Sequence, residues 1–167
     1  PAVFRIIPAM LLIAVFLLPL LRMGRTPLLL DGAHNAHGMA ALLSHVRQSG
    51  LRPRAAIYSC LGDKDWHPAL MLLKRALGDA PLFIPALHNE RAADAARVVA
   101  AANAAAPAHA TLLPDVRDAL DAVRDLPGDD RAPVIISGSL YMLAEFYSLY
   151  PHLLEQPAPA RGARENA

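Results

Sequence analysis

"LLLDGAHNAHG", residues 28–38, decides how the rest of the chain is read. Three leucines run into Asp31, and Gly32, Ala33, His34 and Asn35 follow. From Ala36 to Ser49 the apolar residues Met39, Leu42, Leu43 and Val46 recur at helical spacing, and Gly50 supplies the stop. The stretch is therefore a buried strand, "PLLLD" (27–31), turning directly into a helix. A carboxylate at such a strand tip can accept two ribose hydroxyl hydrogen bonds or help hold a metal. Gly32 and Ala33 let a ligand approach the backbone closely. His34 and Asn35 stand at the helix N-terminus, where free N–H groups and the macrodipole favour an anion such as phosphate. The plain alternative is that Asp31 or Asn35 only caps the helix and His34 is a half-exposed turn residue.

Working outward, the same alternation repeats. Strands are expected at 54–60 ("RAAIYSC"), 80–87 ("APLFIPAL"), 110–113 ("ATLL") and 132–139 ("APVIISGS"). Helices are expected at 66–77, 90–105, 115–126 and 140–150, with Pro68 tolerated in a first turn. Such alternation means a mostly parallel sheet with helices on both faces, and the unbroken apolar strands imply burial on both sides. In open sheets of this kind, ligands bind beyond the carboxyl ends of the strands. Asp31, Gly62–Asp65 and Ser137–Ser139 all follow strand ends, so they are expected to converge on one edge.

Two further stretches could carry chemistry there. In "CLGDKDWHP" (60–68), Lys64 between Asp63 and Asp65 could present an ammonium to a substrate carboxylate; read alone, it is equally a solvated turn with a helix cap. The spacing of Cys60, Asp63, Asp65 and His67 matches no zinc pattern. In "IISGSLYMLAE" (135–145), Ser137 and Ser139 flank Gly138 where a strand gives way to a helix, offering hydroxyls and N–H groups to an anion. Ser139 could equally be a simple N-cap. Neither serine lies in a Gly-x-Ser-x-Gly elbow, which argues against a hydrolase nucleophile.

Composition narrows the function classes. With 167 residues, one domain with a real core is expected; the chain is 54% hydrophobic but only 5% aromatic, so that core must be aliphatic. A net charge of +1 offers no basic face for nucleic acid. The single Cys60 excludes an internal disulfide framework and fits a reducing, cytoplasmic setting. Residues 6–21 ("IIPAMLLIAVFLLPLL") are uncharged and apolar. They cover roughly 24 Å as a helix, short of the ~20 residues that span a bilayer, and Pro8 and Pro19 weaken that helix. A membrane anchor, a buried segment and an aberrant start all stay open for residues 1–26. The tail 156–167 lacks an apolar run and is expected to be disordered. The α/β domain itself is expected to occupy 27–155.

Taken together and in this order, "LLLDGAHNAHG", "GDKD" and "ISGSLYMLAE" resemble the C-terminal domain of the folylpolyglutamate synthase and dihydrofolate synthase family, within the Mur ligase superfamily. The resemblance runs from about Pro27 to about His152, and Asp-Gly-Ala-His-Asn is its specific part. It implies a Rossmann-like domain of an enzyme that uses ATP and Mg²⁺ to join L-glutamate to dihydropteroate or folate through an acyl phosphate. It implies further that Asp31 meets the ribose or nucleotide, that His34 and Asn35 lie on the phosphate side, and that Lys64 and Ser139 lie near the incoming glutamate. A monomer is expected. The chain departs from the family pattern in having Ala36 where proline is usual. The apolar segment stands where a Pro-Gly-Arg element usually precedes the strand, and no Gly-rich phosphate loop ending in Gly-Lys-Ser/Thr occurs. The chain by itself is therefore expected to be an inactive portion of such a ligase, with ATP and Mg²⁺ held mainly by a phosphate-loop domain. The rival expectation is a non-catalytic nucleotide- or protein-binding module, tethered to a membrane if residues 6–21 anchor it.

Overall fold

The computed structural model describes residues 21–105, 107 and 109–153. The apolar stretch up to residue 20 and the tail from Gln156 lie outside the described residues, and so do the anchor and the disorder considered for them. Among the described residues no helix is long and apolar enough to cross a membrane.

Six strands make one sheet: β1 (Leu21–Met23), β2 (Thr26–Asp31), β3 (Ala55–Tyr58), β4 (Leu82–Pro85), β5 (Ala110–Leu113) and β6 (Val134–Ser137). The helices between and after them are α1 (Ala36–Gln48), α2 (Trp66–Leu77), α3 (Ala95–Asn103), α4 (Val116–Arg124) and α5 (Leu140–Leu149). Spatially the order is β1-β2-β6-β3-β4-β5. Every pair from β2 to β5 is parallel, and β1 closes one edge antiparallel to β2. The mostly parallel sheet expected from the sequence is present. Strand β1 is an addition: it lies within residues 1–26, set apart in the sequence reading, and reaches β2 through a turn at Gly24 with φ 62°.

The strands read as continuous apolar runs because each serves two cores in alternation. Leu29, Ala56, Tyr58 and Ile135 face α1, α2 and α3 across one surface of the sheet. Leu28, Leu30, Ala55, Ile57, Val134 and Ile136 face α4 and α5 across the other. Chain direction explains this division. From β2 the path moves toward β5 with helices on one face; it then returns through α4 to insert β6 between β2 and β3. Because crossovers are right-handed, reversing direction sends the helices to the opposite face.

Local chemistry sets the helix ends. In α4 the buried Val116, Ala119, Leu120 and Val123 follow helical spacing while Arg and Asp occupy the outer face. The Asp115 carboxylate accepts the Asp118 N–H at 2.9 Å as N-cap. The helix expected from residue 90 starts only at Ala95. The backbone before it is committed elsewhere. Gly62 N–H donates to the Arg91 carbonyl at 2.8 Å, Ala93 N–H to the Cys60 carbonyl at 2.9 Å, and Leu61 bridges Ala92. Asp94 then caps the shortened helix by accepting the Ala96 N–H at 3.0 Å.

Candidate functional site

The late insertion of β6 brings the two ends of the domain together. Asp31 and Tyr58 both pair in register with Ser137, so β2, β6 and β3 finish level. Beyond that line α1 leaves toward one face and α5 toward the other, which opens the crevice that defines a topological switch point. Its floor is tight. Ser137 Oγ donates to the Ala33 carbonyl at 3.2 Å, and Ser59 N–H donates to the Ser137 carbonyl at 3.2 Å. A Cβ on Gly32 would stand 2.6 Å from Leu140 Cδ2, a contact that the exposed Leu140 side chain can relieve by turning away.

Asp31 is half-buried at this floor, with one carboxylate oxygen accepting the Ala33 N–H at 2.8 Å. Its other oxygen has no partner among the described residues and is free to accept from a ligand. Burial pushes its pKa above the ordinary carboxylate value, against a smaller lowering by the Ala33 hydrogen bond. With a raised pKa the folded protein binds the proton more tightly than the unfolded chain, so stability declines as pH rises through that pKa. At neutral pH the Asp31 charge therefore opposes folding. Asp31→Asn should raise the thermal midpoint of the ligand-free domain at neutral pH, with the gain vanishing in acid. A lower midpoint at neutral pH would contradict this account.

His34 is exposed, with Nδ1 3.0 Å from the Gly32 carbonyl. A carbonyl can only accept, so Nδ1 carries the proton and Nε2 is left for a ligand. Asn35 caps α1 by accepting the Gly38 N–H at 2.9 Å. The N–H groups of Ala36 and His37 keep no acceptor among the described residues, which leaves donors at the positive end of α1. The residues present thus fit a nucleotide: a carboxylate for ribose hydroxyls and a helix N-terminus for phosphate.

Lys64 belongs to a second region. The loop 60–65 after β3 is tied to the segment before α3 by the backbone bonds given above and by the Arg91–Asp63 ion pair at 2.5 Å. The Arg91 hydrogen bond holds the Asp63 carboxyl below the usual carboxylate range. Lys64 is exposed and lines a cavity of about 420 Å³ together with Trp66, His67 and Arg97. The Arg97 guanidinium lies 6.0 Å from the Trp66 ring centre, which fixes a second cation at the same cavity. Sequence reasoning missed Arg97 because a lone arginine in an alanine-rich helix carries no motif. Ser139 does not line this cavity. It is 2% exposed in the crevice floor, where its oxygen accepts the Met142 N–H at 3.1 Å as N-cap of α5. The structure therefore groups Asp31, His34, Asn35 and Ser139 at the switch point and sets Lys64 with Arg97 beside it.

Burial pushes the Cys60 thiol up to about 12, so it is neither a nucleophile nor a ready metal ligand at neutral pH. Among the described residues no three or more His, Cys, Asp or Glu side chains are grouped to hold a metal ion.

A doubly wound α/β domain with a carboxylate and a helix N-terminus at its switch point is the class that fold and site define. The chain matches the family described as Mur ligase, glutamate ligase domain over residues 21–140, and it belongs to that family. Among solved structures, Mycobacterium tuberculosis folylpolyglutamate synthase, complexed with ADP and AMPPCP, is 26% identical with a TM-score of 0.65. That match covers 74% of this chain and 29% of the other. The bifunctional folylpolyglutamate synthase/dihydrofolate synthase of Yersinia pestis is 25% identical, with a TM-score of 0.64 over 77% of this chain and 29% of its own. Escherichia coli FolC in complex with ADP shares the fold at 18% identity, with a TM-score of 0.68 over 83% of this chain and 32% of its own. The chain thus spans about a third or less of the length of these proteins. No curated protein sequence matched it.

Proposed function

We propose that this domain is the glutamate-receiving part of a cytoplasmic, monomeric ATP-dependent ligase that adds L-glutamate to dihydropteroate or folate. ATP supplies the phosphoryl group that turns the pteroate or folate carboxylate into an acyl phosphate, with ADP as the leaving group; Mg²⁺, held by the phosphate-loop domain, would neutralise the phosphates. The neutral glutamate amine then attacks the acyl carbon, the bond to phosphate breaks, and inorganic phosphate leaves as the nitrogen loses a proton to solvent. The residues of this chain bind and orient. Asp31 accepts ribose hydroxyls, while His34 Nε2 and the first N–H groups of α1 lie toward the phosphates. Ser139 holds the start of α5 and can offer its remaining O–H proton. Lys64, with Arg97 opposite, attracts the carboxylates of glutamate. The observation that supports this reading most is the pairing of Asp31 with a donor-rich helix N-terminus at the switch point, together with a family described by glutamate ligation.

Turnover requires a phosphate-cradling loop with its lysine and Mg²⁺, which residues 1–167 do not contain. The chain alone is therefore proposed to be inactive, and its residues are tested after it is joined to the phosphate-loop domain of a folylpolyglutamate synthase. In that ligase Lys64→Ala or Arg97→Ala should raise the KM for glutamate roughly tenfold, the loss of about one charge-assisted hydrogen bond. The KM for ATP should stay within about twofold. An equal rise for both substrates, or none, removes that residue from the glutamate site.

A further inference from the structure

A groove of about 580 Å³ lies at the opposite end of the sheet from the crevice. It runs between the last turns of α1 and α2 and reaches the segment that leads into β3. Leu43, Leu72 and Leu77 are among its apolar walls. Arg47, Arg52 and Arg75 stand around it, all exposed. None of the three has a hydrogen-bond or ion-pair partner among the described residues, and no acidic residue lines the groove. By contrast Arg54 is committed to the Leu126 and Pro127 carbonyls, and Lys74 to those of Ala105 and Pro107.

Helix termini do not account for this charge. Arg47 and Arg75 sit in last turns, where a cation complements the macrodipole. Each helix end presents only about half a negative charge, so two ends leave roughly two of three guanidinium charges unbalanced. The chain's own apolar stretch 6–21 contains no acidic residue and cannot supply the missing counter-charge. The volume falls within the range of small-molecule sites, roughly 300–1,000 Å³.

We propose that this groove binds a small amphiphilic anion: an aromatic or aliphatic body held between α1 and α2, with acidic groups met by Arg47, Arg52 and Arg75. The site is separate from the proposed ligase function and stands or falls without it.

The probe is anilinonaphthalene sulfonate, titrated by fluorescence into the 167-residue chain, with its uncharged counterpart phenylnaphthylamine alongside. The sulfonate dye should bind saturably, one per chain. Changing Arg47, Arg52 and Arg75 together to Gln should weaken it roughly tenfold or more, and raised salt should weaken it in the same direction. Binding of the uncharged dye should be unaffected by that triple change. Ala76→Trp, which fills the groove from an exposed helix position, should remove both dyes. Amide shifts on dye addition should cluster at residues 40–53 and 72–77. Unchanged sulfonate affinity in the triple variant would overturn the proposal. So would binding that survives Ala76→Trp, an absence of dye binding, or capture by anionic vesicles without binding of the soluble dye.

Discussion

Replacing Gly138 with alanine is expected to destabilise the domain by about 2–6 kcal/mol, the sum of a backbone term and a packing term. Gly138 adopts φ 119°, a conformation open to glycine and costly for any residue with a side chain. Space is lacking as well. A Cβ there would collide with the Ser59 carbonyl oxygen and stand 2.9 Å from the Tyr58 ring. Neither neighbour can yield cheaply, because Ser59 is held in the backbone bond to Ser137 and Tyr58 is fully buried. Holding a residue in a glycine-only conformation costs about 1–3 kcal/mol, and overpacking adds about 1–3 more. Against a total stability of roughly 5–15 kcal/mol this is a large fraction. Denaturant unfolding checks it, and a loss below about 1 kcal/mol would show that the loop after β6 relaxes more freely than its contacts suggest.

The second large effect concerns the crevice. In a ligase joined to a phosphate-loop domain, Asp31→Ala and His34→Ala should each reduce ATP-dependent turnover roughly ten- to a hundredfold. That corresponds to losing a charged or charge-assisted hydrogen bond of about 1.5–3 kcal/mol. Neither change should unfold the domain. Asp31 is half-buried with its charge opposing folding at neutral pH, and His34 is exposed with only the Gly32 carbonyl as partner. Loss of activity with intact unfolding transitions separates these residues from Gly138, whose replacement acts through the fold. Wild-type kinetics in both variants would sink the nucleotide assignment.

These two effects meet at one place for a topological reason. Gly138 allows the loop after β6 to lie against the end of β3, and β6 in turn lines Ser137 up with Asp31. A side chain at Gly138 that the fold survived would still displace the loop after β6 from Ser59 and Tyr58 at the end of β3. Activity of such a variant is expected to fall further than its stability predicts.

Local information in the sequence determined the elements. Period and punctuation locate α1, α2 and the strands to within a few residues, because apolar spacing, Pro68 and Gly50 act over one or two turns. Unbroken apolar runs such as residues 27–30 and 134–136 declared a two-sided sheet, and Asp-Gly-Ala-His-Asn singled out the strand tip. Where the outcome depended on partners distant in the chain, the sequence was silent. The start of α3 moved to Ala95 because residues 91–93 find hydrogen bonds on residues 60–62. Strand β1 formed in a segment whose apolar character reads equally well in several ways, since only the free edge of β2 gives it a ladder. Arg97 became a candidate through Trp66 and the Lys64 cavity, some thirty residues earlier in the chain. Above all, tertiary structure alone decided that β6 enters between β2 and β3. Strand order rests on pairing between residues about a hundred positions apart, and no local propensity encodes it. That one insertion turns two separate strand ends into a single crevice.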